Sequence, residues 1–291
     1  MISVWSEIEH AINQKRDRPF VIQQRQGVSG GCINSAFRLS DGAATYFVKL
    51  NQPERLEMFV AEAEGLLELE NAPGLRSPRP IASGAGTTHS WLVLENIPFG
   101  GTGDMAKFGS QLAAMHRITA DRFGWQRSNT IGSTPQLNDY HHNWIDFWRE
   151  CRLLPQLQWA AQGGCSRKMS RLGERLLQQL PQLLAHHCPQ PSLLHGDLWS
   201  GNYAFSEQGE AVIFDPAVYY GDRETDIAMT ELFGGFSRRF YDAYEEAWPL
   251  DSGYQQRKKL YNLYHLLNHF NMFGGGYGSQ AEGVMEQLIA A

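Results

Sequence analysis

The pattern of apolar and polar residues changes once along the chain. In the first hundred residues, β-branched and aromatic residues form short runs between turn residues, whereas from Asp104 onward apolar residues recur every three to four positions. Short runs of this kind indicate strands, and a period near 3.6 indicates helices. The sequence therefore predicts an α+β first part followed by a mostly helical second part.

The first part is predicted to hold five strands and one helix. The expected strands are 20–28, 33–39, 45–50, 79–83 and 91–97. Asp41-Gly42 is typical of a hairpin turn, and Pro53 is favourable at the start of a helix that continues to about Glu70. We expect a five-stranded antiparallel sheet with this helix inserted between its third and fourth strands.

The second part is predicted to be helical, with one short β-like island at 203–205 and 211–214. The segment 260–273 has the composition of a buried helix, rich in Leu, His and Asn. A Gly-rich stretch after Ile97 marks the expected boundary. Residues 1–97 and 98–291 are therefore expected to form two lobes joined by one linker.

Composition and charge narrow the classes of function. The 291 residues are 42% hydrophobic and 19% charged, with a formal net charge of −6, which is typical of a globular protein. Apolar runs fall far short of the roughly 20 residues of a membrane-spanning helix, and the clustered Lys and Arg that hold nucleic acid are missing. The acidic N-terminus does not resemble a signal peptide, so we expect a cytoplasmic protein that binds neither membrane nor nucleic acid and acts on small molecules. Its four cysteines are expected to be free thiols.

The strongest chemical signal is the segment Leu-Leu-His-Gly-Asp-Leu-Trp-Ser-Gly-Asn at 193–202, followed by an apolar strand that ends at Asp215. Asp197 and Asn202 are five positions apart, as in the H-x-D-x-x-x-x-N loop of phosphotransferases with a downstream metal-binding Asp. Asp197 can take the proton of a substrate hydroxyl, while Asn202 and Asp215 hold Mg²⁺ against nucleotide phosphates. A turn capped by Asp and Asn is the alternative for Asp197 alone, but the whole set favours phosphoryl transfer.

A Gly-rich loop between the first two strands is suited to bind phosphate. It contains Gly30, Gly31, Cys32 and Asn34. Glycines there allow backbone N–H groups to approach the phosphates of ATP. By itself the pattern is weak, because a Gly-rich hairpin loop has the same composition.

Lys49 ends the apolar strand 45–50 and matches the strand lysine that contacts the α- and β-phosphates of a nucleotide. A solvated lysine at the end of a strand is the plain alternative. Glu62 shares a helix face with Phe59 and Leu66, and Glu64 does not. We therefore expect Glu62 to pair with Lys49 and to position it.

Two further patterns are interpreted as structural. Gly101–Ala106 fits G-x-G-x-x-A, but no parallel strand with a terminal acidic residue follows, so a turn into a helix is expected. His265 and His269 are four apart without the Glu of a zinc protease, and we interpret them as core or pocket histidines.

Beyond the catalytic segment, the chain resembles the fructosamine kinase family, also called ketosamine 3-kinases, over nearly its whole length. This family lies within the aminoglycoside-phosphotransferase and protein-kinase-like superfamily. The segments that carry the resemblance are 30–34, 92–95, 108–116, 131–136, 220–229, 266–269 and 274–279. The resemblance implies a bilobal kinase-like fold and ATP- and Mg²⁺-dependent phosphorylation of the 3-hydroxyl of ketosamines, either small molecules or glycated protein lysines. The unstable 3-phosphate then eliminates and frees the amine, which amounts to deglycation.

The resemblance also implies residue roles. Asp197 becomes the base and the other catalytic groups keep the roles given above, while Glu95 and Ile97 match the linker whose backbone meets adenine. Trp199 is a candidate for stacking on the apolar face of the sugar. Asp222 and Glu224 are candidates for binding the amine of the acceptor, because carboxylates attract cations.

Two alternatives stay open at the level of sequence. A kinase of another amine-bearing alcohol, of the aminoglycoside or choline type, shares the catalytic motif, although 131–136 and 274–279 argue against it. A non-catalytic nucleotide-binding scaffold would normally lack one of the catalytic groups. For the oligomeric state we expect a monomer or a redox-dependent homodimer, since backbone N–H groups and Lys49 would favour the thiolate of Cys32.

Overall fold

A computed structural model describes residues 3–29 and 33–290. Gly30, Gly31 and Cys32 lie outside the described residues, so their predicted roles in phosphate binding and redox dimerisation stay predictions. The chain divides into two compact units. The first comprises Met1–Asn71, Leu75–Gly103 and Ala204–Asp215, and the second comprises Ala72–Gly74, Asp104–Tyr203 and Pro216–Ala291.

The helices and strands follow one another much as the periodicity predicts. The α-helices are α1 (Val4–Asn13), α2 (Leu56–Leu69), α3 (Met105–His116), α4 (Trp144–Phe147), α5 (Leu154–Gln162), α6 (Arg167–Leu183), α7 (Glu224–Leu232), α8 (Arg238–Ala247), α9 (Tyr254–Phe273) and α10 (Tyr277–Ala290). A 3₁₀ turn, Pro53–Arg55, precedes α2, and a π-helical segment, Trp148–Leu153, joins α4 to α5. The strands are β1 (Gln24–Val28), β2 (Ser35–Ser40), β3 (Thr45–Asn51), β4 (Pro80–Ala85), β5 (Ser90–Glu95), β6 (Asn129–Ile131), β7 (Thr134–Gln136), β8 (Ser192–Leu194), β9 (Tyr203–Phe205), β10 (Ala211–Ile213) and β11 (Tyr219–Gly221).

The first unit is built on the predicted five-stranded antiparallel sheet, in the order β1-β2-β3-β5-β4. Strand β5 is buried on both faces, which explains its continuous apolar run. Trp91 and Val93 pack with α1 in one apolar cluster, whereas Leu92 and Leu94 pack with α2 in another. Because side chains alternate along a strand, the neighbouring β3 sends Val48 toward the α1 cluster and Lys49 toward the α2 face.

Helix α1 was not predicted, so the expectation of a single helix in this part of the chain was wrong. The helix begins after Ser3, whose side chain accepts a hydrogen bond from the Ser6 N–H at 3.2 Å. Ile8 and Ile12 are fully buried on its inner face. Val4, Trp5 and Ala11 pack against the same apolar cluster, so apolar residues do recur at helical spacing along this segment. A helix of ten residues is marginal by itself, and its packing on the sheet stabilises it.

The first unit also extends beyond the boundary expected at residue 97. It continues to Gly103 and includes the return segment 204–215. The glycines explain the close fit, since a Cβ on Gly101 would lie 2.0 Å from the Ser206 carbonyl oxygen and one on Gly103 would lie 1.8 Å from the Phe205 ring. The Ile213 N–H donates to the Arg76 carbonyl at 2.9 Å, so β10 is fixed to the same unit.

The second unit is mostly helical, as predicted. Its long helix α9 includes the segment 260–273, which was expected to be buried; its buried residues end at Asn268, whereas Phe273 is exposed. Strand β8, which pairs antiparallel with β11, directly precedes the loop 195–202. The Gly101–Ala106 pattern leads into α3, where Asp104 caps the helix by accepting from the Ala106 N–H at 3.0 Å. Within 3–29 and 33–290, no helix is both long and apolar enough to cross a membrane.

Candidate active site

In the first unit, the Lys49 ammonium group lies between two carboxylates. Its Nζ is 2.5 Å from Glu62 Oε1 and 2.6 Å from Asp215 Oδ1. Strand β3 aims Lys49 at the α2 face, and Glu62 occupies that face one helical turn after Phe59. The predicted Lys49–Glu62 pair is therefore present, and the structure adds Asp215 as a second partner.

Burial and charge oppose each other at this pair. Lys49 is 5% exposed, and burial by itself would lower the pKa of its ammonium, but the charges of Asp215 and Glu62 outweigh burial and raise it. Burial raises the pKa of Glu62, while the nearby Lys49 acts against this rise. Lys49 therefore remains a fixed positive charge, suited to an anionic ligand.

Asp215 has a backbone conformation that is uncommon for a residue with a side chain. Its φ of 56° is positive, and among the described residues it alone combines positive φ with a side chain. Such conformations cost about 1–3 kcal/mol and cluster at functional sites. The turn follows β10 directly and keeps the Asp215 carboxylate half-exposed while one of its oxygens contacts Lys49.

The predicted linker residues lie at the end of β5 and just after it. The Glu95 side chain already has a partner, since Arg76 Nη2 donates to Glu95 Oε1 at 2.5 Å. Ile97 is 5% exposed. Two residues further on, the ring of Phe99 stacks on that of Phe214, with centroids 5.5 Å apart. Sequence analysis did not single out this pair, because the two rings are 115 positions apart in the chain.

Asn34, the described member of the Gly-rich loop, precedes β2. Its side-chain oxygen accepts a hydrogen bond from Asn51 Nδ2 at 2.7 Å. This bond ties the end of the loop to the end of β3.

In the second unit, the catalytic loop leaves β8 and is fixed at its first two residues by Asp226. The His195 N–H donates to Asp226 Oδ2 at 2.7 Å and the Gly196 N–H donates to Oδ1 at 2.8 Å. Gly196 has φ of 80°, and a Cβ there would lie 2.0 Å from the Ala217 carbonyl oxygen, so only glycine fits. The first two residues of the loop are therefore buried and held in place by Asp226.

The far end of the loop is tied back to Asp197. Asn202 Nδ2 donates to the Asp197 carbonyl at 2.9 Å and lies 3.2 Å from Oδ2 of the same residue. The amide thus turns its NH₂ group toward Asp197, which leaves its oxygen directed elsewhere, and a hard cation takes such oxygen ligands. The spacing of five residues is what allows this closure.

Asp226 is completely buried, and its charge is balanced by hydrogen bonds. His116 Nε2 lies 3.2 Å from Asp226 Oδ2, and His116 Nδ1 lies 2.8 Å from the Tyr244 hydroxyl. Burial would raise the pKa of Asp226, but His116 and the Gly196 N–H lower it below its usual value. Burial lowers the pKa of His116, so we assign a neutral ring that donates from Nε2 to Asp226 and accepts from Tyr244 at Nδ1.

Asp226 and His116, which support the loop 195–202, were not among the residues expected at the site. Both lie in segments that carry the family resemblance, 220–229 and 108–116, but neither segment contains a known catalytic pattern. Asp226 is one of two acidic residues in the first turn of α7, and the sequence offers no sign that distinguishes it from Glu224.

Asp222 and Glu224 cannot bind the acceptor amine as expected, because both are 1% exposed and already paired. Asp222 Oδ2 accepts from Tyr261 at 2.5 Å and lies 2.6 Å from His187 Nε2. Arg257 holds Glu224 through two hydrogen bonds of 2.7 and 2.8 Å. Basic groups of the protein itself thus already occupy both carboxylates, which argues against the expected contact with an acceptor amine.

Trp199 lies in the loop 195–202, and its role in stacking on a sugar stays a prediction. It is 36% exposed, and its ring contacts Phe233 edge to face at 6.3 Å. A Cβ on Gly201 would lie 2.4 Å from this indole, so the ring folds back over its own loop.

A small sheet-based unit with a buried Lys–Glu pair, followed by a helical unit with an H-G-D loop, defines the class of kinase-like phosphotransferases. The chain matches the model of the family "Fructosamine kinase" over residues 4–291. It therefore belongs to the fructosamine kinase family, and the fold and family expected from the sequence are confirmed.

Individual relatives agree with this family. A probable ketoamine kinase of Synechocystis sp. is 49% identical over 290 residues, covering 98% of this chain and 97% of the relative. The chloroplastic protein-ribulosamine 3-kinase of Arabidopsis thaliana is 41% identical over 266 residues, covering 90% and 81%. A crystal structure from Haemophilus somnus 129PT that carries the name fructosamine-3-kinase superimposes with a TM-score of 0.89 at 30% identity, covering 97% and 96%.

A more distant neighbour shares the fold alone. An aminoglycoside phosphotransferase, solved as a ternary complex with ADP and hygromycin B, has a TM-score of 0.65 at 15% identity and covers 99% of this chain and 98% of its own. The chain is thus a kinase of the fructosamine kinase family within the kinase-like fold.

Proposed function

We propose that this protein transfers the γ-phosphoryl group of ATP to the 3-hydroxyl of ketosamines of the fructosamine or ribulosamine type. The observation that carries the proposal is the loop from His195 to Asn202, which Asp226 fixes at one end and the Asn202–Asp197 hydrogen bonds close at the other. Such a loop presents one half-buried carboxylate in a defined direction. The ketoamine and ribulosamine kinase names of the relatives support the choice of acceptor.

Asp197 acts as the base in this proposal. Its carboxylate accepts the proton of the acceptor hydroxyl as that oxygen forms a bond to the γ-phosphorus, while the bond from this phosphorus to the β–γ bridging oxygen breaks and ADP leaves with that oxygen. The carboxylate is then restored when it releases the proton to solvent. Asn202 restrains Asp197 during this step, because it holds both the backbone and the side chain of that residue.

The nucleotide is held by groups of the first unit. Lys49, kept charged by its two carboxylates, contacts the α- and β-phosphates, while the linker at Glu95 and Ile97 meets adenine through its backbone. Phe99 and Phe214 supply apolar surface for a base. The carboxylate of Asp215 in this unit, and separately the side-chain oxygen of Asn202 in the second unit, are of the kind that Mg²⁺ prefers, and the metal would neutralise charge on the phosphates.

The biological outcome in this proposal is deglycation in the cytoplasm. A 3-phosphate on the sugar eliminates and frees the amine, whether it belongs to a small molecule or to a protein lysine. The described cysteines Cys151, Cys165 and Cys188 are free, as suits a reducing compartment.

The test has two parts: a panel of acceptors identifies the substrate, and variants of Asp197 and Asp215 distinguish the roles of these two carboxylates. Wild type should phosphorylate ketosamines with ATP and Mg²⁺, and NMR should place phosphate on O3. Asp197→Asn should lose turnover but keep Mg-ATP affinity, whereas Asp215→Ala should weaken both. Asp242→Asn, a change at an exposed carboxylate of α8, is the matched control and should behave as wild type.

Several outcomes would contradict the proposal. Transfer to aminoglycosides or choline in preference to ketosamines would favour another amine-bearing acceptor, and nucleotide binding without transfer to any acceptor would favour a scaffold. Equal loss of nucleotide affinity in Asp197→Asn and Asp215→Ala would remove the assignment of Asp197 as base.

A further inference from the structure

Five aromatic rings of the second unit form a continuous series that starts in the catalytic loop. Trp199 contacts Phe233 at 6.3 Å between centroids, and Phe233 contacts His269 at 4.8 Å. His269 in turn contacts Phe273 at 5.7 Å and Tyr277 at 5.1 Å. We call Trp199, Phe233, His269, Phe273 and Tyr277 the aromatic cluster.

The aromatic cluster is open to a ligand. Phe273 is 56% exposed and Trp199 is 36% exposed, which is unusual for rings that contact other rings. Gly274 and Gly275 follow Phe273 with φ of 65° and 62°, and this turn brings Tyr277 of α10 back onto His269 of α9. A Cβ on either glycine would meet nothing within 4 Å, so backbone direction, not crowding, requires glycine there.

His269 gives the aromatic cluster a hydrogen-bond acceptor. Its Nδ1 lies 2.8 Å from the His265 carbonyl oxygen, and because a carbonyl only accepts, Nδ1 carries the proton and Nε2 carries a lone pair. Burial lowers the pKa of His269, which favours this neutral form. The ring thus adds no positive charge that would repel a cation.

These features suit a protonated amine. Ring faces attract an ammonium group, most strongly those of Trp and Tyr, and the Nε2 lone pair of His269 can accept one of its N–H bonds. A ketosamine carries such an amine beside the sugar. The carboxylates expected to bind this amine, Asp222 and Glu224, are buried with their own cations.

We propose that the aromatic cluster binds the ammonium group of the acceptor and so makes this kinase select cationic ketosamines over neutral sugars. This inference rests on the proposed function, since Trp199 follows Asp197 by two residues and the acceptor hydroxyl must reach Asp197. It adds Phe233, His269, Phe273 and Tyr277 as residues that determine specificity.

The experiment compares a cationic acceptor with a neutral one of similar shape, 1-deoxy-1-piperidinofructose and 1-O-cyclohexylfructose. The variants are Phe273→Leu and Tyr277→Leu, which keep apolar volume and remove a ring face. Tyr140→Leu removes an exposed aromatic ring outside the cluster and is the matched control. Thermal unfolding of each variant verifies that it folds, and the very exposed Phe273 makes that variant the safer of the two.

The cluster variants should raise KM for the cationic acceptor about 2- to 30-fold with little change in kcat, as expected for loss of one cation–π contact. KM for the neutral acceptor should change much less, and the Tyr140→Leu control should match wild type. An equal rise for both acceptors, or no rise for either, would overturn the proposal.

Calorimetric titration distinguishes failure of this inference from failure of the proposed kinase activity. If wild type phosphorylates neither acceptor, the proposed function fails, and calorimetric titration of the two compounds still decides the inference. Tighter binding of the cation in wild type than in the cluster variants would support it, and equal binding would overturn it.

Discussion

Replacement of Asp226 by Asn should damage the catalytic loop without touching a residue that meets substrate. Asp226 accepts from the His195 and Gly196 N–H groups through different oxygens, at 2.7 and 2.8 Å. Asn has the same shape but a single acceptor oxygen. Its NH₂ group would face an N–H donor, so at least one backbone donor loses its partner.

The magnitude follows from these contacts. A hydrogen bond to a charged acceptor contributes about 1.5–3 kcal/mol, and a buried donor left without a partner costs about 1–3 kcal/mol. Since the two terms partly describe the same loss, we expect the free energy of unfolding to fall by about 2–4 kcal/mol. The loop should also shift, and a displacement near 1 Å at a catalytic group can lower kcat about 100-fold.

The assay pairs urea denaturation with steady-state kinetics on a ketosamine. Asp242→Asn is the matched control, because its carboxylate is exposed on α8 and contacts Arg238 at 3.4 Å, a type of pair worth about 0–1 kcal/mol. We expect kcat to fall strongly in Asp226→Asn while KM for ATP stays near the wild-type value. An unfolding midpoint and a kcat both close to those of the control would refute the role given to Asp226.

Two further predictions concern the same unit. Gly196→Ala should prevent correct folding of the loop, because its Cβ would lie 2.0 Å from the Ala217 carbonyl oxygen. Gly164→Ala is the control: Gly164 has the same φ but open surroundings, so this variant should be destabilised only by the strain of a positive φ, about 1–2 kcal/mol. Equal melting temperatures for the two variants would contradict the prediction. Burial by itself would lower the pKa of His187, but the charges of Asp222 and Glu224 outweigh burial and raise this pKa above 6.5. The protonated ring therefore contributes to stability below pH 6.5, and this contribution is lost as the pH rises through the higher pKa of the folded state. His187→Gln should therefore flatten the fall in melting temperature between about pH 6 and 8; an unchanged slope would show that this group does not titrate as described.

The local pattern of apolar and polar residues was sufficient to predict the five-stranded sheet and the Lys49–Glu62 pair. The alternation of side chains along β3 predicts the face of the sheet on which Lys49 lies, and the helical spacing predicts the face of α2 on which Glu62 lies. Together these two patterns predict that the side chains meet. Asp215 as the second partner of Lys49 could not be obtained this way, because 166 residues separate them. Its turn depends on tertiary packing around β10.

The expectation for Asp222 and Glu224 failed for a similar reason. A carboxylate looks the same in sequence whether it faces solvent or is buried, and the deciding partner of Glu224, Arg257, lies 33 residues later on another helix. The role of Asp226 was missed in the same way, since its partners are backbone N–H groups that carry no sequence signal. The sequence shows that a side chain is charged, but only the fold shows whether that side chain is exposed to a ligand.

The discontinuous first unit has a consequence for biosynthesis. Its sheet is complete once residue 103 has been made, but Asp215 and Glu210, the partners of Lys49 and Arg76, are added only about a hundred residues later. Until then, Lys49 on β3 has only Glu62 of its two carboxylate partners in the chain already made, and the segment 205–207, against which Gly101 and Gly103 fit closely, has not yet been synthesised. The first unit therefore reaches its final form only after residues 195–202, which belong to the second unit, have themselves been synthesised.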